Sequence, residues 1–256
     1  MSLAIDLSKR TAIVPGAGSG IGRATAKLLA EAGAGVVAVG RNQERLAALA
    51  RELRFRGTPH AVVRGDVASE ATARRAVAVC LRRFGRVDIL VNNAGMAMMK
   101  SVPETSLAEW NQVLATNLTS VYLFSRFAIP EMERMGSGSV INVASEAGIV
   151  GFKDYAAYSA SKAAIVNLSR AMALDHAARG IRVNSVCPGS IDTPLLGAYY
   201  RSFPDPVAER EADAATHPLG IGQPADVAWG ILYLASDQAR YVTGHALVID
   251  GGFTAQ

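Results

Sequence analysis

The chain has 256 residues, half of them apolar, and a net charge of +4, totals that suit one large α/β unit with a sizeable core. Aromatics are sparse, and the arginines fall among apolar residues in helix-like stretches such as Arg51–Arg56 and Ala73–Phe84. That pattern excludes a nucleic-acid groove, which interleaves basic with aromatic side chains.

Short β-branched runs alternate with longer helical patterns throughout. A strand at Thr11–Val14 leads to a helix over Ile21–Glu31. Val36–Val39 is followed by a helix through Gln43–Arg56, and His60–Arg64 by Ser69–Phe84. The run Val87–Val91 breaks at N-N-A-G, and a helical block then occupies about Ser106–Met135. Ser139–Val143 precedes a loop and a long helix from about Tyr155 to Arg179. After Ile181–Val186 comes a Pro- and Gly-rich stretch, Asp192–Gly222, with a patchy helical pattern. A late helix over about Pro224–Ser236 and a strand at Ala246–Asp250 complete the order. Apolar strands that each feed a helix imply a parallel sheet covered on both faces. The expected fold is a Rossmann-like, doubly wound sheet of about seven strands. With no linker or repeat in view, residues 1–256 read as one domain, and residues 190–222 as a substrate lid.

Cys80 and Cys187 lie far apart in apolar settings, and the four histidines form no ligand cluster. Neither a disulfide framework nor a metal centre is expected. The opening segment contains an acid and lacks a long apolar run, and no stretch approaches a membrane span. A cytoplasmic protein is therefore expected, with no nucleic-acid or membrane partner.

Directly after the first strand stands V-P-G-A-G-S-G-I-G-R. The spacing G-x-G-x-x-G fails, because Ile21 occupies its third glycine; what stands is Gly16, Gly20 and Gly22 as G-x-x-x-G-x-G. Such a turn brings backbone close to a pyrophosphate at the positive end of a helix. Pro15 lacks an N–H, but the phosphate donors follow it. The second strand ends V-A-V-G-R-N, so Gly40 fills the place of a ribose-binding acid and Arg41 follows. That favours NADP(H) over NAD(H), since a guanidinium pairs with a 2′-phosphate.

In the long helix, Y-S-A-S-K sets Tyr158 and Lys162 at i and i+4, on one face. An ammonium beside a phenol favours the phenolate. Ser145 follows one strand and N-N-A-G another, at the same sheet edge, while Asn117 puts a polar amide inside an apolar helical run.

Taken together the chain resembles the short-chain dehydrogenase/reductase family, in its short single-domain branch. The resemblance rests on G-A-G-S-G-I-G, Asp66–Val67, N-N-A-G, Asn117, Ser145, Tyr158-x-x-x-Lys162, Pro188–Gly189 and Thr193. It implies a secondary alcohol–ketone oxidoreductase with Tyr158 as general acid/base and Ser145 holding the substrate oxygen. Lys162 would lower the tyrosine pKa and hold the nicotinamide ribose, and Asn117 would hold a relay water. Gly16, Ser19, Gly20, Ile21 and Gly22 would cradle the phosphates. Arg41, Asp66, Val67, Asn93, Ala94 and Gly95 would line the adenosine side. Pro188, Gly189, Ile191 and Thr193 would line the nicotinamide end. The resemblance also implies a homotetramer. A 3-oxoacyl-thioester (acyl-carrier-protein) reductase is an alternative within the same chemistry, and a non-catalytic dinucleotide sensor one outside it.

Met96, Met98, Met99, Glu146, Ile149, Phe152, Tyr155, Leu195, Leu196 and Tyr199 are candidates for a fairly apolar substrate pocket. Two departures from the family stand out. Pro15 replaces a threonine whose hydroxyl ties the glycine turn to the N-A-G strand, so a differently braced turn is expected. Pro218–Gly222 reads P-L-G-I-G, one residue shorter than the P-L-G-R-I-G of relatives, which bears on the lid or a subunit contact.

Overall fold

The computed structural model describes residues 5–255, so residues 1–4 of the opening segment and residue 256 lie outside the described residues. Along the chain β1 (Thr11–Pro15) is followed by α1 (Gly20–Glu31), β2 (Gly35–Gly40) by α2 (Gln43–Phe55), and β3 (His60–Arg64) by α3 (Glu70–Phe84). After β4 (Ile89–Asn92) come α4 (Leu107–Leu114) and α5 (Ser120–Met135); after β5 (Gly138–Val143) comes α6 (Ala156–His176). β6 (Ile181–Pro188) leads to α7 (Pro194–Tyr200), α8 (Pro206–Thr216) and α9 (Pro224–Ala235), and β7 (Ala246–Ile249) follows. The seven strands form one parallel sheet in the order β3-β2-β1-β4-β5-β6-β7. The expected doubly wound fold is what the chain adopts.

Strand side chains alternate between faces with period two, and both faces are covered. Ala12 and Val14 face a core built with Leu29 of α1, Leu46, Leu49 and Leu53 of α2, and Ile231 of α9. Ile13 points the other way, with Ala76 and Cys80 of α3, Phe124 and Met132 of α5, and Met172 of α6. The strand order reverses between β1 and β4, which opens a crevice above their carboxyl ends.

Pro15 is the last residue of β1, in register with Val39 of β2. Paired residues of β1 and β4 stop at Ile13, so the missing N–H of Pro15 breaks no ladder. The block expected as one helix over Ser106–Met135 is interrupted by a π-helical turn at Ala115–Thr119. The extra residue of that turn rotates Asn117 inward, a phase shift that apolar periodicity does not reveal. Residues 190–222 hold two defined helices rather than a patchy one. Each starts with proline after a capping residue: Thr193 accepts from the N–H of Leu196, and Asp205 from those of Val207 and Ala208. The Pro218–Gly222 stretch ties back to the strand ends, with Gly222 N–H on the Ser190 carbonyl and Leu219 N–H on that of Gly251. Among the described residues no helix is long and apolar enough to cross a membrane.

One buried charge anchors the lower edge of the sheet. Asp88, 2% exposed, accepts from the Thr11 N–H at 2.9 Å, the Thr11 hydroxyl at 3.2 Å and the Arg86 Nε at 2.8 Å. Removing the carboxylate leaves a buried N–H and a guanidinium without their acceptor. Asp88→Ala is expected to lower the unfolding free energy by about 3 kcal/mol, with Asp88→Asn losing roughly half as much. Urea denaturation followed by circular dichroism checks this.

Candidate active site

The glycine turn runs from the end of β1 into α1. It is braced from the segment after β4: the side-chain amide of Asn93 donates to the carbonyls of Pro15 at 3.4 Å and Gly16 at 3.2 Å. Gly20 adopts φ +52°, in the left-handed region, and a Cβ there would press on Thr193 at 3.0 Å. Ser19 does not cap α1 with its side chain, and no acid stands in the first turn. The opening N–H groups of the helix are therefore fitted to an anion such as a pyrophosphate.

A cleft of about 430 Å³ runs from this turn across the sheet edge to α7. Of the residues expected to hold a dinucleotide, Gly16, Ser19, Gly20, Ile21, Arg41, Asp66, Val67, Asn93, Ala94 and Gly95 line it, as do Pro188, Gly189, Ile191 and Thr193. Ser145, Tyr158 and Lys162 line it too. Gly22 and Asn117 do not. Gly22 packs beneath the turn against Gly16 and Asn93, and Asn117 is fully buried.

Asn117 braces the site from behind. Its Oδ1 accepts from the Met96 N–H at 2.8 Å, while its Nδ2 donates to the Met96 carbonyl and to the Ser161 hydroxyl, both at 3.0 Å. Ser161 in turn donates to the Tyr158 carbonyl at 2.7 Å. The buried amide fixes the loop after β4 to the first turns of α6, which carry both Tyr158 and Lys162.

Lys162 is 4% exposed, and its Nζ donates to the Val143 carbonyl at the end of β5 at 2.9 Å. The same Nζ lies 5.6 Å from the centre of the Tyr158 ring. Burial lowers the Lys162 ammonium to about 8. Burial also pushes the Tyr158 phenol up, against a hydrogen bond with Ser145 that lowers it. Burial is the largest of these effects. Ser145 sits at the start of a short turn, Glu146–Gly148, and accepts from the Ala147 N–H at 3.2 Å. A Cβ on Gly148 would lie 2.7 Å from the backbone of Lys162, so only glycine lets this turn lie flush on α6.

At the far end of the cleft, Met96, Glu146, Phe152, Tyr155, Leu195, Leu196 and Tyr199 form the walls, as expected from the sequence, whereas Met98, Met99 and Ile149 do not line it. Tyr155 stands edge-on to both Phe152 at 6.1 Å and Tyr158 at 5.8 Å. Sequence reasoning missed Gly18, Arg45 and Asp213, which also line the cleft. Arg45 was readable as a second cation one helical turn after Arg41; Asp213, in α8, carries no local signal. Among the described residues no group of side chains is arranged to hold a metal ion, and both cysteines are free and buried.

A family model described as enoyl-(acyl carrier protein) reductase matches residues 16–254. The chain is 43% identical to the cis-4-hydroxycyclohexanecarboxylate dehydrogenase of Sinomonas cyclohexanicum, over 97% of this chain and 98% of that one. It is 37% identical to a 2,5-dichloro-2,5-cyclohexadiene-1,4-diol dehydrogenase of Sphingobium indicum, over 98% and 99%. A crystal structure of a short-chain type dehydrogenase/reductase from Mycobacterium marinum superposes with a TM-score of 0.92 at 34% identity, over 98% of both chains. The chain belongs to the short-chain dehydrogenase/reductase family and is an NAD(P)-dependent oxidoreductase that interconverts a secondary alcohol and a ketone.

Proposed function

We propose that this enzyme is an NADP(H)-preferring dehydrogenase of small, mostly apolar cyclic secondary alcohols, with Tyr158 as its general acid/base. The observation that carries the reading is the convergence of Ser145, Tyr158 and Lys162 at one end of a cleft whose other end is the glycine turn. The ring alcohols in the names of two relatives support the substrate class, as do the aromatic walls.

The bound nicotinamide supplies the hydride acceptor or donor. In the oxidation direction Ser145 holds the substrate hydroxyl and the Tyr158 oxygen takes its proton. In reduction the phenol returns that proton while Ser145 steadies the developing negative charge. Lys162 supports the phenolate from beside the ring and holds the ribose. Asn117 acts by position, keeping α6 and the Met96 loop in register. Residues 190–222 close over the substrate as a lid. Exposed Trp229, Tyr233 and Val248 on one side, and Leu107 and Tyr122 on another, are the apolar contacts of a cytoplasmic homotetramer.

A panel of cyclic alcohols with NADP+ and NAD+, followed by the absorbance of the reduced nicotinamide, tests the reading. Cyclohexanol and its ring homologues are expected to turn over fastest, with NADP+ preferred. Faster reduction of a 3-oxoacyl thioester than of any cyclic ketone would replace this substrate class with the acyl-thioester one.

A further inference from the structure

The floor of the substrate end holds a group that the chemistry above leaves without a task. Glu146, next to Ser145 in the chain, is 5% exposed, and its Oε2 is sealed from solvent without a hydrogen bond. That oxygen lies 3.4 Å from Nε2 of His217, which is itself 3% exposed. Nε2 already accepts the backbone N–H of Ser190 at 3.2 Å, so it carries no proton. The ring proton belongs on Nδ1, which faces the Asp213 carbonyl at 3.0 Å and the Thr216 hydroxyl at 2.9 Å. Phe253 stacks on the imidazole at 4.9 Å and holds its plane.

Two lone pairs facing each other at this separation repel. A proton on Oε2 relieves that repulsion and shares the Nε2 acceptor with the Ser190 N–H. The surroundings favour that proton: burial, with the charges of Asp250 and Asp213, pushes Glu146 up to about 8. Asp250 stays ionised, held by the N–H groups of Gly252 and Thr254 and by the Thr254 hydroxyl. Asp213 is occupied by the hydroxyls of Ser190 and Tyr200. The neutral acid therefore directs its single O–H toward His217, and Glu146 stands among the residues that line the cleft. Phe152, Tyr155, Leu196 and Tyr199 line the same cleft, and an acceptor among such walls costs free energy unless a donor fills it.

We propose that Glu146 is a specificity-determining residue whose free oxygen accepts a hydrogen bond from a second hydroxyl of the substrate, so that the cleft selects diols over mono-alcohols of the same ring. The proposal rests on the alcohol–ketone reading of the site and names the substituent that the substrate carries. His217 and Ser190 are its positioning residues, since they set which oxygen of Glu146 carries the proton.

The test compares cyclohexane-1,4-diol with cyclohexanol in wild type, Glu146→Leu and Glu146→Gln. The quantity read is the ratio of kcat/KM for diol over mono-alcohol. Leucine removes the acceptor, and the ratio is expected to fall about tenfold. Glutamine keeps a carbonyl oxygen and offers an N–H to His217 Nε2, and its ratio is expected within about threefold of wild type. An unchanged ratio in Glu146→Leu, or an equal fall in both variants, overturns the proposal. Calorimetric binding of both alcohols to Tyr158→Phe loaded with NADP+, with and without Glu146→Leu, gives the same ratio without turnover. Should wild type oxidise neither alcohol, the cyclic-alcohol reading fails, and the binding ratio still decides the role of Glu146.

Discussion

Tyr158→Phe is expected to lower kcat for alcohol oxidation by about a thousandfold, within the range that general acid/base groups supply. The substitution removes one oxygen and keeps the ring, so the edge-on contact with Tyr155 at 5.8 Å and the Lys162 contact at 5.6 Å persist. The loss is chemical rather than structural. The pH profile carries the same signature. With Tyr158 as the proposed base, oxidation is expected to need the deprotonated phenol, and burial holds that phenol above its ordinary value, so the wild-type rate is expected to climb with pH from neutral upward. Lys162 keeps its charge below about 8 and sheds it above, so its support for the phenolate fades there and the climb flattens. The residual rate of the phenylalanine variant is expected to lack this rise. Initial rates across buffered pH, with cofactor saturating, check both statements.

The second large effect concerns cofactor choice. Arg41 follows β2 directly and Arg45 stands in the first turn of α2, both exposed and both on the cleft. Gly40 leaves no carboxylate at the strand end to grip a ribose hydroxyl or repel a phosphate. A charge-assisted hydrogen bond between guanidinium and phosphate is worth about 1.5–3 kcal/mol. Arg41→Ala is therefore expected to raise KM for NADPH by roughly tenfold to a hundredfold, while KM for NADH moves little. Loss of Arg45 as well should deepen the effect. Equal changes for both cofactors would mean that the arginines serve the cleft in general and do not read the 2′-phosphate.

Much of this was legible in the residues because the signals are local. The β-branched runs and helical periods placed every strand of the sheet, and i, i+4 spacing alone set Tyr158 and Lys162 on one face. The glycine turn announced itself by composition and by its place after β1. What escaped was decided by packing across the fold. Asn117 stands at the sequence position expected of it, yet its side chain is drawn into Met96 and Ser161 by a π-helical turn that apolar periodicity hides. Pro15 brings no side-chain hydroxyl to the turn, and the brace that the structure shows, the amide of Asn93, comes from a different strand end. The upward direction of the Tyr158 shift turns on burial, which is invisible in a string of letters. The Glu146–His217 contact joins two loops remote in sequence, and neither residue type marks it.

The central claim is that one cleft binds the dinucleotide and moves the proton, with the two tasks resting on different atoms. Titration of Tyr158→Phe with NADPH, read by protein-to-nicotinamide fluorescence transfer beside its rate of cyclohexanol oxidation, tests it most directly. The account predicts a Kd within about threefold of wild type and an oxidation rate near background. A variant that oxidises cyclohexanol at the wild-type rate, or one that no longer binds NADPH, would contradict it.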